Sequence, residues 1–162
     1  MSIQIRPAEK SDAATILSFI KDLAVYEKEP DAVFNTVSDI EDKLFCEHPT
    51  AHAVICEQAA EAIGFAVYFY NYSTWLGKHG LYLEDLFVAP EKRGNGAGKA
   101  IMQYLAQLAL KNDCGRFEWV VLDWNKPAID FYDSIGAKPQ SEWIIYRLCG
   151  DELKAFAEQG KQ

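Results

Sequence analysis

The stretch 93–99, RGNGAGK, places three glycines at alternate positions between two cations. It follows an apolar run, LYLEDLFVAP at 81–90, and leads into a helical pattern, KAIMQYLAQLAL at 99–110. A glycine turn between a strand and a helix presents backbone N–H groups and a helix N-terminus to an anion, because no Cβ stands in the way. Arg93 and Lys99 add cations that suit a phosphate group. The loop therefore indicates a phosphate-bearing ligand.

Two familiar phosphate-binding motifs do not fit this loop. A dinucleotide-binding fingerprint needs GxGxxG, and after Gly94 and Gly96 its third glycine position is Lys99. A P-loop needs GxxxxGK[ST], but Arg93 stands at its first glycine and Ala100 follows the lysine, so the magnesium-binding hydroxyl is missing. The sequence thus disfavours both a nicotinamide-dependent dehydrogenase and an NTPase.

Length, charge and cysteine spacing narrow the class of protein. The chain has 162 residues with 49% hydrophobic and 25% charged residues, which predicts one globular domain over 1–162. Its net charge of −8 argues against nucleic-acid and anionic-membrane partners. The sequence has no signal-peptide pattern, no apolar run of membrane-spanning length, and no cysteine pair at zinc-ligand spacing. We therefore expect a cytoplasmic protein without a metal.

Apolar periodicity predicts an α/β domain with a mixed sheet. Helices are expected after a cap at Ser11, over roughly 38–46, through Ile101 to Leu108, and over 126–136. Strands are predicted at 3–8, 51–58, 62–72, 80–88, 117–122 and 142–148, with 117–122 buried and 142–148 closing the sheet. Hairpins followed by a strand–helix–strand unit indicate a single layered domain with helices flanking the sheet.

The spacing Arg93-x-x-Gly96-x-Gly98 resembles the acetyl-CoA pyrophosphate loop of the GNAT acetyltransferase superfamily. The order of elements is similar to that superfamily along essentially the whole chain. Shorter runs, including LAVYE at 23–27, YSTW at 72–75 and WNKPAIDFY at 124–132, resemble the diamine acetyltransferase group of spermidine/spermine and thialysine acetyltransferases. The resemblance implies the GNAT acyl-CoA N-acyltransferase fold, acetyl-CoA as acetyl donor and a homodimer.

The resemblance also implies roles for individual residues. The cofactor would be held by strand residues at its pantetheine arm, by the glycine loop at its pyrophosphate, and by two later residues near its sulfur: Leu86, Phe87, Val88, Arg93, Gly94, Asn95, Gly96, Ala97, Gly98, Lys99, Asn125 and Tyr132. The acceptor amine would meet a second set, consisting of Tyr26, Glu27, Trp75, Glu84 and Asp85.

Acetyl transfer to an amine needs a group that accepts the proton of the amine and a group that protonates the leaving thiolate. Glu84 is the candidate base, because an ED pair is poor β-strand chemistry and its presence inside an apolar strand favours a function. Tyr132 is the candidate acid, and the backbone amide of Val88 is a candidate donor to the thioester oxyanion.

The sequence leaves the acceptor open. A primary amine of a small molecule, such as a thialysine-like amino acid, a diamine or a polyamine, is favoured. The alternatives are a protein N-terminus or lysine as acceptor, and a non-catalytic sensor of acyl-CoA. Lys28, Thr74 and Asp133 depart from the pattern of the polyamine enzymes and weaken polyamine specificity. The dimer contacts are expected from the aromatic strand 67–72 and from 142–148.

Overall fold

A computed structural model describes residues 2–160 of the chain. The chain forms two compact units, a first that runs through Leu122 and a second that begins at Asp123. The single domain over 1–162 therefore stays a prediction.

The first unit is built on a mixed sheet, as predicted, but the sheet has five strands and not the six that were expected. Its strands lie in the order of the sequence: β1 Ile3–Pro7, β2 His52–Gln58, β3 Glu61–Ser73, β4 Lys78–Val88 and β5 Arg116–Glu118. The first three pairs of neighbours are antiparallel, and β4 and β5 are parallel. The predicted hairpin of β2 and β3 is confirmed.

Five α-helices accompany the strands in the described residues. Three belong to the first unit and two to the second: α1 Ala13–Tyr26, α2 Val37–Leu44, α3 Ala97–Lys111, α4 Lys126–Ser134 and α5 Gly150–Gln159. The cap predicted at Ser11 is wrong, because Ser11 lies inside a 3-10 turn, Lys10–Asp12, that precedes α1. The carboxylate of Asp12 takes the capping role there and accepts the Glu9 N–H at 2.7 Å.

The helices of the first unit lie on both faces of the sheet. On one face, Ile16 and Phe19 of α1 pack with Phe65 and Phe87, and the Phe19 and Phe65 rings stack at 5.7 Å. Val67 of β3 packs against the same cluster, so the next residue, Tyr68, points to the other face of the sheet. Tyr104 of α3 acts on Tyr68 there. The α1–α2 face is the one that carries the candidate acceptor site.

The register of β4 changes at Glu84. Val67 of β3 is opposite Asp85, whereas the next residue, Tyr68, is opposite Leu83. Glu84 is therefore the extra residue of a β-bulge, a feature that re-aims side chains next to many active sites. On the other side of β4, pairing with β5 ends at Tyr82, so β4 continues to Val88 beyond the end of β5.

Two predicted strands are not observed as expected. The strand predicted at 117–122 ends at Glu118, and the three residues 120–122 are exposed, with Val120 at 54%. The segment 142–148 forms no strand, and Trp143 through Tyr146 are 67–87% exposed. β-branched and aromatic residues favour a strand, but they form one only where a neighbouring strand supplies hydrogen-bond partners.

Candidate active site

The glycine loop presents an open backbone at the start of α3. Gly94 and Gly96 have φ values of 79° and 90°, which residues with a Cβ rarely adopt, and Gly96 is the residue that caps α3. A Cβ built at Gly94, Gly96 or Gly98 would meet no atom within 4 Å. The first N–H groups of a helix lack partners inside the helix. The loop therefore fits a pyrophosphate, which needs close approach to such N–H groups.

Asn95 occupies one of these donors. Its Oδ1 accepts the N–H of Ala97 at 3.1 Å. The N–H groups of Gly98 and Lys99 are the next donors of the first turn, and the exposed Lys99 side chain adds a cation beside them.

Arg93, expected at the pyrophosphate, makes contacts inside the protein. Its Nε donates to the Val88 carbonyl at 2.9 Å. Its guanidinium carbon lies 4.8 Å from the ring centre of Tyr26 and 5.6 Å from that of Phe87. The Val88 carbonyl occupies Nε, so a phosphate contact would fall to the two terminal nitrogens of Arg93.

The last residues of β4 offer main-chain groups at the edge that β5 leaves uncovered. Ala89 donates its N–H to Ile63 of β3 at 2.9 Å. Since successive residues of a strand direct their main-chain groups to opposite sides, Leu86 and Val88 direct theirs away from β3. These are the residues that the sequence assigned to the pantetheine arm.

An acidic pocket lies on the α1–α2 face of the sheet, next to the bulge. It has a volume of about 240 Å³ and is lined by residues of α1, α2 and the two long strands, together with the segment before α2: Ile20, Asn35, Asp39, Ile40, Lys43, Leu44, Val67, Glu84 and Asp85. Glu84 is exposed and Asp85 is half-buried, so the bulge gives the pocket one accessible and one less accessible carboxyl group.

Two carboxyl groups of the pocket and that of Glu27, just after α1, influence one another. Burial, together with the charges of Glu84 and Glu27, raises the pKa of Asp85 to about 6. Burial also raises the pKa of Glu27, although this residue at the end of α1 remains largely accessible at its surface. Three carboxyl groups that interact in this way favour a cationic ligand, because a positive charge relieves their repulsion.

Three polar residues of the pocket were missed by sequence reasoning: Asn35, Asp39 and Lys43. Asp39 forms a capping box with Thr36, whose hydroxyl donates to it at 2.6 Å, and this hydrogen bond lowers the pKa of Asp39. The spacing TVSD is a readable signal for the start of α2. It does not indicate that the same carboxylate faces a pocket.

A larger depression, of about 330 Å³, lies near the start of β1 and the turn that follows β2. Its one charged residue, Glu57, forms an ion pair with Arg6 at 2.8 Å. This depression therefore offers a weaker site for an amine than the acidic pocket does.

Trp75 does not join the other predicted acceptor residues. It lies in the turn between β3 and β4 and is 89% exposed. Lys78, at the start of β4, is about 20 Å along the strand from Asp85, at 3.3 Å per residue. Tyr26 and Glu27 do not line the acidic pocket either, but Tyr26 contacts Arg93 and the charge of Glu27 acts on Asp85.

The remaining two predicted residues lie in the second unit. Asn125 is 8% exposed, and its Oδ1 caps α4 by accepting the Ala128 N–H at 3.4 Å. Tyr132 lies on α4 with its ring 5.5 Å from that of Phe131. Tyr132 is seven positions after Asn125, the residue that caps α4, and seven positions are close to two helical turns.

Within residues 2–160, no group of three or more His, Cys, Asp or Glu side chains could hold a metal ion. None of the helices in this part of the chain has the length and apolar character needed to cross a bilayer.

The mixed sheet, the helices on its two faces and the glycine loop at the start of α3 define an acyltransferase architecture. Residues 21–137 match the Acetyltransferase (GNAT) family. The chain therefore belongs to the GNAT family of acetyltransferases, and the predicted fold and enzyme class are confirmed.

Similar proteins agree with this assignment. A thialysine N-epsilon-acetyltransferase of Sus scrofa is 36% identical over 96% of this chain and 98% of its own length. A spermidine/spermine N(1)-acetyltransferase-like protein 1 of Homo sapiens is 34% identical over 95% of this chain and 24% of that longer protein. Among solved structures, an integron cassette protein of V. cholerae has a TM-score of 0.82 and 28% identity, covering 98% of this chain and 99% of that one. The resemblance to the diamine acetyltransferase group is thereby confirmed.

Proposed function

We propose that this protein transfers an acetyl group from acetyl-CoA to a primary amine of a small, cationic molecule. The observation that carries the proposal is the acidic pocket at the bulge of β4. Asp85 lines this pocket, and the next residue, Leu86, directs its main-chain groups to the open edge of the strand that leads to the glycine loop. A thialysine-like amino acid, a diamine and a polyamine each carry an ammonium group on a flexible chain that suits such a pocket.

Bound acetyl-CoA supplies an activated acetyl thioester. The N–H groups of Gly98 and Lys99 and the Lys99 cation would hold its pyrophosphate. The main-chain groups of Leu86 and Val88 would bind its pantetheine arm, in the way that a neighbouring strand pairs with a sheet edge. The resemblance adds Asn125 and Tyr132, which belong to the second unit, to the proposed cofactor set.

The carboxyl pair of the bulge would receive the amine and its proton. Glu84, the base indicated by the sequence, is exposed on the wall of the pocket and suits first contact with an incoming ammonium group. Asp85 is the better-placed proton acceptor, because its pKa of about 6 lies near the pH of the cell. An amine held beside these groups loses its proton to the pair and becomes a nucleophile.

The transfer itself needs no covalent intermediate on the protein. The amine nitrogen would form a bond to the thioester carbonyl carbon, the carbon–sulfur bond would break, and the second proton of the nitrogen would pass to solvent. The Val88 N–H would stabilise the negative charge on the carbonyl oxygen. Tyr132 would give its proton to the leaving thiolate and regain one from solvent.

The size of the pocket favours a small acceptor over a protein. A volume of about 240 Å³ is below the usual range for drug-sized ligands and suits a single aliphatic amine chain. A peptide acceptor would need a groove for its backbone, and the acyl-CoA sensor would need no acidic pocket.

A panel of amines tests the proposal. Purified protein is mixed with acetyl-CoA and, separately, with thialysine, lysine, ornithine, putrescine, spermidine and a lysine peptide, and released thiol is measured. We expect turnover with at least one free amine and little with the peptide. Binding of CoA without turnover of any amine would favour the sensor, and preference for the peptide would favour a protein acceptor.

We also propose a homodimer that forms in the cytoplasm from chains of one domain each. Exposed aromatic groups at the turn between β3 and β4 support the dimer, and Trp75 at about 20 Å or more from Asp85 would reach an acidic pocket only in a second copy. The four unpaired cysteines suit a reducing compartment. A monomeric mass by light scattering at micromolar concentration would argue against the dimer.

A further inference from the structure

Arg93 joins three parts of the first unit. Its Nε binds the Val88 carbonyl at the end of β4, and its guanidinium lies against the ring of Phe87, a core residue that is 4% exposed. The guanidinium carbon also lies 4.8 Å from the ring centre of Tyr26, the last residue of α1. A cation attracts the rings that it contacts, so Arg93 holds the end of α1 against the end of β4.

The two ends that Arg93 connects serve different substrates in the proposed function. Arg93 itself is the first residue of the glycine loop, where the cofactor would bind. Tyr26 is followed by Glu27, whose charge acts on Asp85 in the acidic pocket. Arg93 is exposed overall despite its internal contacts, so the edge with its two terminal nitrogens is accessible to a phosphate. One side chain therefore borders both the cofactor and the acceptor.

We propose that Arg93 is a positioning residue that couples the binding of the two substrates. A pyrophosphate bound in the loop holds the guanidinium in place, and the guanidinium holds Tyr26 at the end of α1, the helix whose Ile20 lines the acceptor pocket. This inference rests on the proposed function for the identity of the two ligands. CoA then raises the affinity for the amine, and the amine raises the affinity for CoA by the same factor. A partly exposed cation–π contact permits a coupling of about threefold to tenfold.

Isothermal titration calorimetry measures this coupling without turnover. The best amine of the panel is titrated into protein with and without saturating CoA, which lacks the acetyl group. Wild type and Tyr26→Phe, which keeps the ring and loses the hydroxyl, should show the threefold to tenfold gain in amine affinity. Tyr26→Leu, which loses the ring, should show no gain, while its affinity for CoA alone is unchanged. Arg93→Lys should also lose the gain. An ammonium group, unlike a guanidinium, has no flat face to lie against a ring and cannot bind the Val88 carbonyl in the same geometry.

Two outcomes would overturn the inference. One is equal coupling in Tyr26→Leu and in wild type, and the other is a wild type that binds both ligands and turns over but shows no coupling. Failure of the proposed function is distinguishable, since the wild type would then bind no amine or transfer no acetyl group. Melting temperatures of the variants confirm that each protein used is folded.

Discussion

Replacing Asp85 with asparagine should make the protein more stable and less active. Burial and two neighbouring carboxyl groups raise the pKa of Asp85 from 3.8 to about 6. At 1.36 kcal/mol per pH unit, a rise of this size corresponds to about 3 kcal/mol of unfavourable free energy for holding the ionised group in the folded protein. Asparagine has nearly the same shape and no charge. We therefore expect Asp85→Asn to gain up to about 3 kcal/mol in unfolding free energy at pH 8.

The gain should depend on pH with a definite sign. The folded pKa of Asp85 lies above the unfolded value, so the folded state binds more protons between pH 3.8 and about 6. The contribution of Asp85 to stability therefore falls as pH rises through this window. The difference between variant and wild type should be largest above pH 6 and close to zero below pH 4.

Urea denaturation at pH 4 and pH 8 measures the change in stability. Asp22→Asn is the matched control, because Asp22 is exposed on α1 and its replacement should leave both curves unchanged. With acetyl-CoA and the best amine, wild-type kcat/KM should fall about tenfold per pH unit below pH 6, and Asp85→Asn should lose about 10²–10⁴-fold at pH 8. No pH dependence of the stability gain would refute the raised pKa, and wild-type turnover would refute the role as proton acceptor.

Three further changes test other parts of the site and fold. Gly98→Val should weaken CoA binding at least tenfold by calorimetry with an unchanged melting temperature, because a Cβ at Gly98 meets no atom within 4 Å and fills only the ligand space. Tyr132→Phe should lower kcat by about 10²–10⁴-fold with CoA affinity unchanged, since only a proton donor is removed; equal kcat would exclude Tyr132 as the acid. Asp12→Asn should lose about 1–3 kcal/mol at pH 7 in urea denaturation, because Arg6 binds this carboxylate at 2.7 and 2.9 Å. That loss should disappear as pH falls through the lowered pKa of Asp12, below 3.8.

The parts of the fold that were predictable are those that local sequence determines. The glycine loop and α3 follow from glycine spacing and from helical periodicity. The hairpin of β2 and β3 follows from two apolar runs around a short turn. The segment 142–148 has equally strong β-forming residues, yet the structure gives it no strand. Its state depends on a neighbouring strand, which its own composition does not specify.

The site was predictable in its residue types and less so in its geometry. A cation at the start of a glycine loop predicts a phosphate contact. Nothing near Arg93 in the sequence indicates that its guanidinium contacts the ring of Tyr26. The ED pair in an apolar strand directed attention to Glu84 and Asp85, and both residues line one pocket in the structure. The difference between the two carboxyl groups arises from the bulge, which exists only relative to the register of β3.

The bulge at Glu84 connects the two halves of the proposed reaction. On the C-terminal side of the bulge, Phe87 in the core and the Ala89–Ile63 hydrogen bond fix the end of β4. On its N-terminal side, Tyr82 pairs with Glu118 of β5, and its ring lies 5.0 Å from that of Phe69. Because Phe87 and Tyr82 lie on one face although an odd number of positions separates them, one extra residue must be accommodated between them.

That extra residue allows one short segment to serve both substrates. Asp85 directs its carboxyl group into the acidic pocket, while the next residue, Leu86, directs its main-chain groups to the edge that β5 leaves uncovered. Without the bulge, strict alternation of side chains along β4 would place Tyr82 on the face opposite to that of Asp85 and Phe87. The acidic pocket and the open edge would then no longer meet at adjacent residues. In the proposed function, a single irregularity of β4 would thus bring the acceptor amine and the thioester together.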